Sequence, residues 1–262
     1  MLKNIYTPLS GAIAQERAIE VIANNLANIN TTGFKGDKVT FTLQNPDPYP
    51  NYKSPIPPAN YKVGFKDLMH LKGNDLNYAG VAGMERDDSQ GPALVTNNPY
   101  DLMIEGEGYF KVQTNEGARY TRSGDITLSS DGALVTKSGD PILGDKGVIF
   151  LRDGEFKINR AGEVYQGDQL IDKIQLFKFD DKDLIERTGQ NYLYYTGAES
   201  GVLRVENPAI RQGLLEGSNV NAMKNMTAMI IAHRAYEAYQ KAVKNYDSMM
   251  EKSSNSVGAV RT

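Results

Sequence analysis

The chain of 262 residues contains no cysteine and only two histidines, His70 and His233. The first absence removes disulfides, thiolate nucleophiles and cysteine metal sites together, without fixing the compartment. Two histidines so far apart, unaided by cysteine, do not suit a zinc site. His233 sits amid Ala232, Arg234 and Ala235 and reads as a packing or surface residue of a helix rather than a base. Nowhere do about eighteen apolar residues run together, so no helix is expected to span a bilayer. A formal net charge of -3 gives no electrostatic footprint for nucleic acid or an anionic membrane. The opening residues Met1 to Pro8 lack the apolar stretch and small-residue cleavage site of a secretory signal. Any export from the cytoplasm is therefore expected to proceed without a conventional signal peptide.

Catalytic motifs are missing as well. Gly139-Asp140-Pro141-Ile142-Leu143-Gly144-Asp145-Lys146 has the outline of a phosphate-binding loop. An aspartate separates its second glycine from the lysine, and no Ser or Thr follows. Gly106-Glu107-Gly108 is only a fragment of a dinucleotide fingerprint, with no βαβ unit around it. No serine occupies a Gly-x-Ser-x-Gly elbow. Asp180-Asp181-Lys182-Asp183 lacks the glycine and terminal glutamate of a calcium loop and reads as a solvated turn. Carboxylate pairing of the kind used in glycoside hydrolysis is spatial, so the sequence leaves a cell-wall hydrolase open as an alternative. No catalytic residue, cofactor or metal site is expected.

What is present divides the chain into ends and a middle. With 40% hydrophobic and 23% charged residues, an ordinary soluble core is available. From about Thr7 to Asn30 the pattern predicts a helix, with Thr7 as N-cap and Pro8 at the first helical position. Ile5, Leu9, Ala12, Glu16, Ile19, Ala23, Leu26 and Asn30 recur at alternating spacings of four and three, a coiled-coil seam. Gly33 is placed to end this helix in the left-handed conformation. A second helix is predicted from Ser218-Asn219 to about Glu251, with a seam of Ala222, Asn225, Met229, Ala232, Tyr236, Tyr239, Val243, Tyr246 and Met250. Two amphipathic helices of a globular bundle are the plainer alternative.

Residues 45–60 are too proline-rich for a helix or central strand and read as an extended surface loop. From about Glu85 to Arg211, short runs such as Leu102–Ile104, Tyr109–Gln113, Val148–Leu151 and Lys173–Phe179 alternate with turn signals. Asp131-Gly132 and Asp153-Gly154 are turn dipeptides suited to antiparallel hairpins. The expected fold class is α+β: long N- and C-terminal helices forming a coiled-coil-like helical domain, and a central, mostly antiparallel β domain. Its expected parts are an N-terminal helix over 1–35, a connection over 36–84, the β domain over 85–211 and a C-terminal helix over 212–262.

Both ends also carry a resemblance. Leu9-Ser10-Gly11-Ala12 and Ile22-Ala23-Asn24-Asn25-Leu26 through Thr32-Gly33-Phe34-Lys35 resemble the N-terminal signature of the flagellar rod, hook and hook-associated family. Gln212-Gly213-Leu214-Leu215-Glu216-Gly217-Ser218-Asn219 and Arg234-Ala235-Tyr236-Glu237 resemble its C-terminal signature. Asn98-Pro99-Tyr100-Asp101 through Gly108-Tyr109-Phe110, then Tyr120-Thr121-Arg122-Ser123-Gly124-Asp125, are similar to its rod-protein motif. The opening residues are most similar to proximal-rod members, while distal-rod members share most of the motifs.

The resemblance implies a structural subunit of the basal-body rod, exported by the flagellar type III apparatus, polymerising helically in the periplasmic space and transmitting torque. Implied partners are other rod subunits, the export apparatus and the surrounding basal-body rings, with no nucleic acid and no membrane insertion. Expected assembly contacts are Leu9, Ile19, Ile22, Leu26, Met229, Tyr236, Tyr239 and Val243, with Asn30 and Asn225 setting register. A hook-type subunit and an externally exposed cap or adhesin are the structural alternatives.

Overall fold

A computed structural model describes residues 3–44, 78–152 and 154–259. The proline-rich stretch 45–60 and His70 lie outside the described residues. The chain divides into two compact units, one from Met1–Asn24, Asp37–Arg86 and Met223–Thr262, the other from Asn25–Gly36 and Asp87–Ala222.

The first unit holds most of helix α1 (Lys3–Ala27), strands β1 (Asp37–Gln44) and β2 (Tyr78–Arg86), and nearly all of helix α2 (Ala222–Ala259). β1 and β2 pair antiparallel from Asp37 opposite Arg86 to Gln44 opposite Tyr78, most of the pair falling in the span 36–84 expected to be a connection. Helix α1 begins at Lys3 rather than at Thr7, and Pro8 lies inside it. Proline there forfeits the bond to the carbonyl four residues back, a small loss so near the start of a helix. The segment Ile13 to Ala18 is rich in strong helix formers, and Arg17 pairs with Glu20 at 2.7 Å one turn on. The buried side of this helix is built of small residues: Gly11, Ala12, Ala14, Ala18 and Val21. A Cβ added at Gly11 would stand 2.6 Å from the ring of Tyr239 on α2, so the glycine admits that ring.

These contacts correct the expected fold class. Among the described residues there are two helices and seventeen strands, and the helices do not form a coiled coil. A heptad seam needs large apolar knobs. Here the inward residues of α1 are small, while Leu9 and Ile13 are exposed. On α2 the expected seam residues Asn225, Met229, Tyr236 and Tyr239 are only half-buried and Tyr246 and Met250 are exposed, so neither helix closes an apolar seam. The architecture is a large β domain with a six-stranded sheet, and one helix at either end of the chain.

The second unit contains β3 (Ala93–Val95), β4 (Leu102–Ile104), β5 (Tyr109–Thr114), β6 (Gly117–Thr121), β7 (Ile126–Leu128), β8 (Leu134–Thr136), β9 (Phe156–Ile158), β10 (Glu163–Gln166) and β11 (Gln169–Lys173). It continues with β12 (Leu176–Phe179), β13 (Ile185–Thr188), β14 (Tyr192–Tyr195), β15 (Val202–Arg204), β16 (Ile210–Gln212) and β17 (Leu214–Glu216). The main sheet has the order β13-β14-β6-β5-β12-β15, beside a three-stranded sheet β11-β10-β9 and the pairs β16-β4, β17-β3 and β7-β8. Its pairings are antiparallel.

Both faces of the main sheet are covered. Alternation along β5 sends Phe110 and Val112 into the principal core with Leu102, Ile104, Leu134, Ile142 and Ile174. On the opposite face Tyr120, Phe179, Leu193 and Tyr195 form a second cluster, in which the Phe179 and Tyr195 rings stack at 5.3 Å. The run Val148–Leu151 makes isolated bridges instead of a strand, Leu143 facing Val148 and Ala133 facing Phe150. The run Lys173–Phe179 is divided, because Ile174 leaves β11 to bridge Gly144 before β12 begins.

Candidate functional site

The densest polar arrangement in the second unit joins the two stretches by which the chain enters and leaves it. After α1, residues 28–36 turn back through Gly33, whose φ of 66° lies in the left-handed region. A side chain at Gly33 would also strike the backbone of Arg122 at 2.6 Å, so this position requires glycine twice over. The Gly33 amide donates to the carbonyl of Glu216 at 2.8 Å. Two residues later Lys35 is buried, as are Arg122 and Glu216.

Glu216 is the centre of this group. Its Oε1 accepts from Lys35 Nζ at 2.6 Å and from the Gly91 amide at 3.0 Å. Its Oε2 accepts from Arg122 Nε at 2.6 Å. Three of the remaining guanidinium hydrogens point at main-chain oxygens: Nη1 at Gly108 (2.6 Å), and Nη2 at Gly106 (2.6 Å) and Ile104 (3.1 Å). Lys35 Nζ donates a second bond to the Ser89 carbonyl at 2.8 Å. Burial pulls the Lys35 pKa below its ordinary value; the Glu216 carboxylate opposes this and the Arg122 charge adds to it.

Neutral contacts extend the junction. The Asn219 side chain accepts from the Gly36 amide at 2.8 Å and donates to the Asp87 carbonyl at 2.6 Å. Asn191 donates to the Thr32 carbonyl at 2.9 Å, and the Thr32 and Ser123 hydroxyls lie 2.8 Å apart. Arg187 lies over the Phe34 ring at 4.6 Å and bonds the Lys35 carbonyl.

Chemically, this arrangement holds rather than transforms. Both cations are committed to oxygens of the same chain, and both oxygens of the Glu216 carboxylate are committed to them. The adjoining cavity, lined by Lys35, Arg122, Gly106 to Gly108 and Lys182, measures about 50 Å³. Small-molecule sites run to roughly 300–1,000 Å³. Among the described residues no cluster of His, Asp and Glu is arranged to hold a metal, and no helix is long and apolar enough to cross a membrane.

The residues expected at an assembly seam lie elsewhere. Leu9 is exposed, and Ile19, Ile22 and Leu26 are half-buried, while Asn30 is exposed on the turn after α1. On α2, Asn225, Met229, Tyr236, Tyr239 and Val243 share one half-buried face, and the Tyr239 ring lies against Gly11 of the same chain. His233 is exposed. Lys35, Arg122 and Glu216 were not singled out, although each lies inside a motif that carries the resemblance. Their signal was three charges within otherwise apolar or glycine-rich signatures.

Those three charges fall one in each of three family matches. Residues 5–35 match the family described as flagella basal body rod protein. Residues 103–149 match the flagellar hook protein FlgE/F/G D1 domain, and residues 211–256 the flagellar basal body rod FlgEFG protein C-terminal region. Among curated relatives, the flagellar basal-body rod protein FlgF of Caulobacter vibrioides is 32% identical, over 92% of this chain and 92% of that one. FlgG of the same organism is 30% identical, over 97% of this chain and 98% of its own length. The flagellar hook-basal body complex protein FlhO of Bacillus subtilis is 28% identical, over 99% and 100%. Sharing these signatures and nearly its whole length with such relatives, the chain belongs to the flagellar basal-body rod protein family.

Proposed function

We propose that this chain is a structural subunit of the flagellar basal-body rod, which polymerises through surfaces of its terminal helices and transmits torque. One observation carries the assembly half of this reading. Met223, Met226, Ile230 and Ile231 form an exposed apolar stripe at helical spacing on the outer side of α2. Ile231 is 63% exposed and Met223 79%, a costly arrangement for a chain that stays alone in water. On α1, exposed Leu9 and Ile13 add to the apolar surface left for neighbours. Half-buried Ile19, Ile22 and Leu26 are secondary contacts in this reading. Met229, Tyr236, Tyr239 and Val243 support the stripe from the inner face of α2.

Neighbours of this kind are rod subunits, copies of the chain itself and adjoining rod proteins, arranged head to tail so that contacts do not close into a ring. The reading places the subunit in the periplasmic part of the basal body, reached through the flagellar export apparatus and bordered by the basal-body rings. The family's structural character supports a role without catalysis.

Electron cryotomography of a deletion strain tests the proposal. Motors are expected to show an export gate and inner ring with a missing or stunted rod, restored by the wild-type chain but not by an Ile230→Asp variant. A complete rod, hook and filament in the deletion strain would overturn the function. Full rescue by Ile230→Asp would overturn the assignment of the stripe.

A further inference from the structure

We infer that residues Thr31 to Gly36 form a detachable strap whose docking on the β domain is licensed by the far end of the chain, through Glu216. The strap contributes a single charged side chain to the interior, Lys35. A buried ammonium is unfavourable unless a partner awaits it. That partner lies 181 residues away in sequence, and it is held in place independently of the strap. Arg122 and the Gly91 amide position both oxygens of the Glu216 carboxylate, and Arg122 is itself fixed by three carbonyls of the β4–β5 connection. The ammonium socket, made of Glu216 Oε1 and the Ser89 carbonyl, is thus complete before Lys35 arrives.

Three further strap bonds share this dependence, beside those to Asn191, Ser123, Arg187 and Asp87, which do not. The Gly33 amide uses the Glu216 carbonyl, the Asn219 amide uses the Phe34 carbonyl, and the Gly36 amide uses the Asn219 side chain. Every one of these partners lies between residues 216 and 219, directly after β17. Until β17 has paired with β3, Lys35 therefore has no socket, and its docking reports that the C-terminal segment has been added. The strap's contacts to Asn191, Ser123, Arg187 and Asp87 do not seat the ammonium. This inference stands on the geometry of the second unit and does not depend on the assembly surface proposed above.

Hydrogen–deuterium exchange on the full chain tests it. Lys35→Met keeps the Arg122–Glu216 pair, so the main sheet is expected to retain its protection. The Gly33 and Gly36 amides should exchange at least tenfold faster. Glu216→Gln should release the same amides from the opposite end of the sequence; if that variant does not fold, Lys35→Met alone decides. Unchanged exchange over residues 31–36 in Lys35→Met would overturn the inference. So would an equal rise across β5, β6 and β14, because Lys35 would then serve only general stability.

Discussion

Glu216 answers two cations with one carboxylate, and the three side chains are almost wholly withdrawn from water. Such a group adds little net stability when complete, because desolvation offsets most of the Coulomb attraction. Its removal acts differently. Glu216→Ala leaves Lys35 and Arg122 buried without a counter-charge, and the expected loss is about 3–5 kcal/mol. Denaturant unfolding should show this as a large fall in midpoint, against a total stability of about 5–15 kcal/mol for an ordinary domain. A loss under about 1 kcal/mol, the worth of an exposed ion pair, would show that the triad is solvated in solution. None of this pairing was visible in one dimension. Lys35, Arg122 and Glu216 each stood in a recognisable motif, but a charge does not announce its partner across 94 or 181 residues.

Among the elements, α1 shows how a helix can be found while its buried face is misread. Counting apolar residues picks out Leu9, Ile19 and Leu26, because Gly11, Ala14 and Ala18 carry almost no hydrophobic weight. Smallness is what lets α2 approach, through the Tyr239 ring at Gly11. A glycine-to-alanine change inside a helix ordinarily gains about 1 kcal/mol. Here the added methyl would meet the ring at 2.6 Å, so Gly11→Ala is expected to lose stability. In a Tyr239→Ala background the same change should recover the usual gain, and the double-mutant cycle measures the coupling. Additive effects would separate the two residues. The β region was more legible where turns have a mechanism. Gly132 and Gly154, at the expected turns, take positive φ, and strands β4 and β5 lie where the alternation put them. Strands β16 and β17, separated only by Gly213, carry no Asp-Gly turn and were absorbed into the approach to α2.

For the molecule as a whole, Lys35 leaves a signature in pH. Its folded pKa lies below the ordinary 10.5, so between the two values the unfolded chain holds more protons than the folded one. Stability contributed by this group therefore rises with pH across that interval, and its burial penalty is fully present below it. Lys137 and Lys182 are raised by their hydrogen bonds to Asp125 and Asp88 and act in the opposite direction, but both are exposed and screened. Comparison with Lys35→Met isolates the buried group. The stability difference should move in favour of the wild type as pH climbs towards 10.5, measured by denaturation at each pH. A constant difference would mean that Lys35 titrates normally.

The junction at Glu216 also bears on force. Tension applied to the chain at Gly36 and at Ser218 meets first the Lys35–Glu216 pair, the Gly33–Glu216 bond and the Gly36–Asn219 bond. These cross-links join the two stretches directly. Pulling there strains a few short contacts in parallel, and the sheet takes load only through side chains such as Arg187 of β13, which holds the Lys35 carbonyl. The β domain can then differ in its outer strands and loops from one rod protein to another without altering the mechanical connection between its two ends.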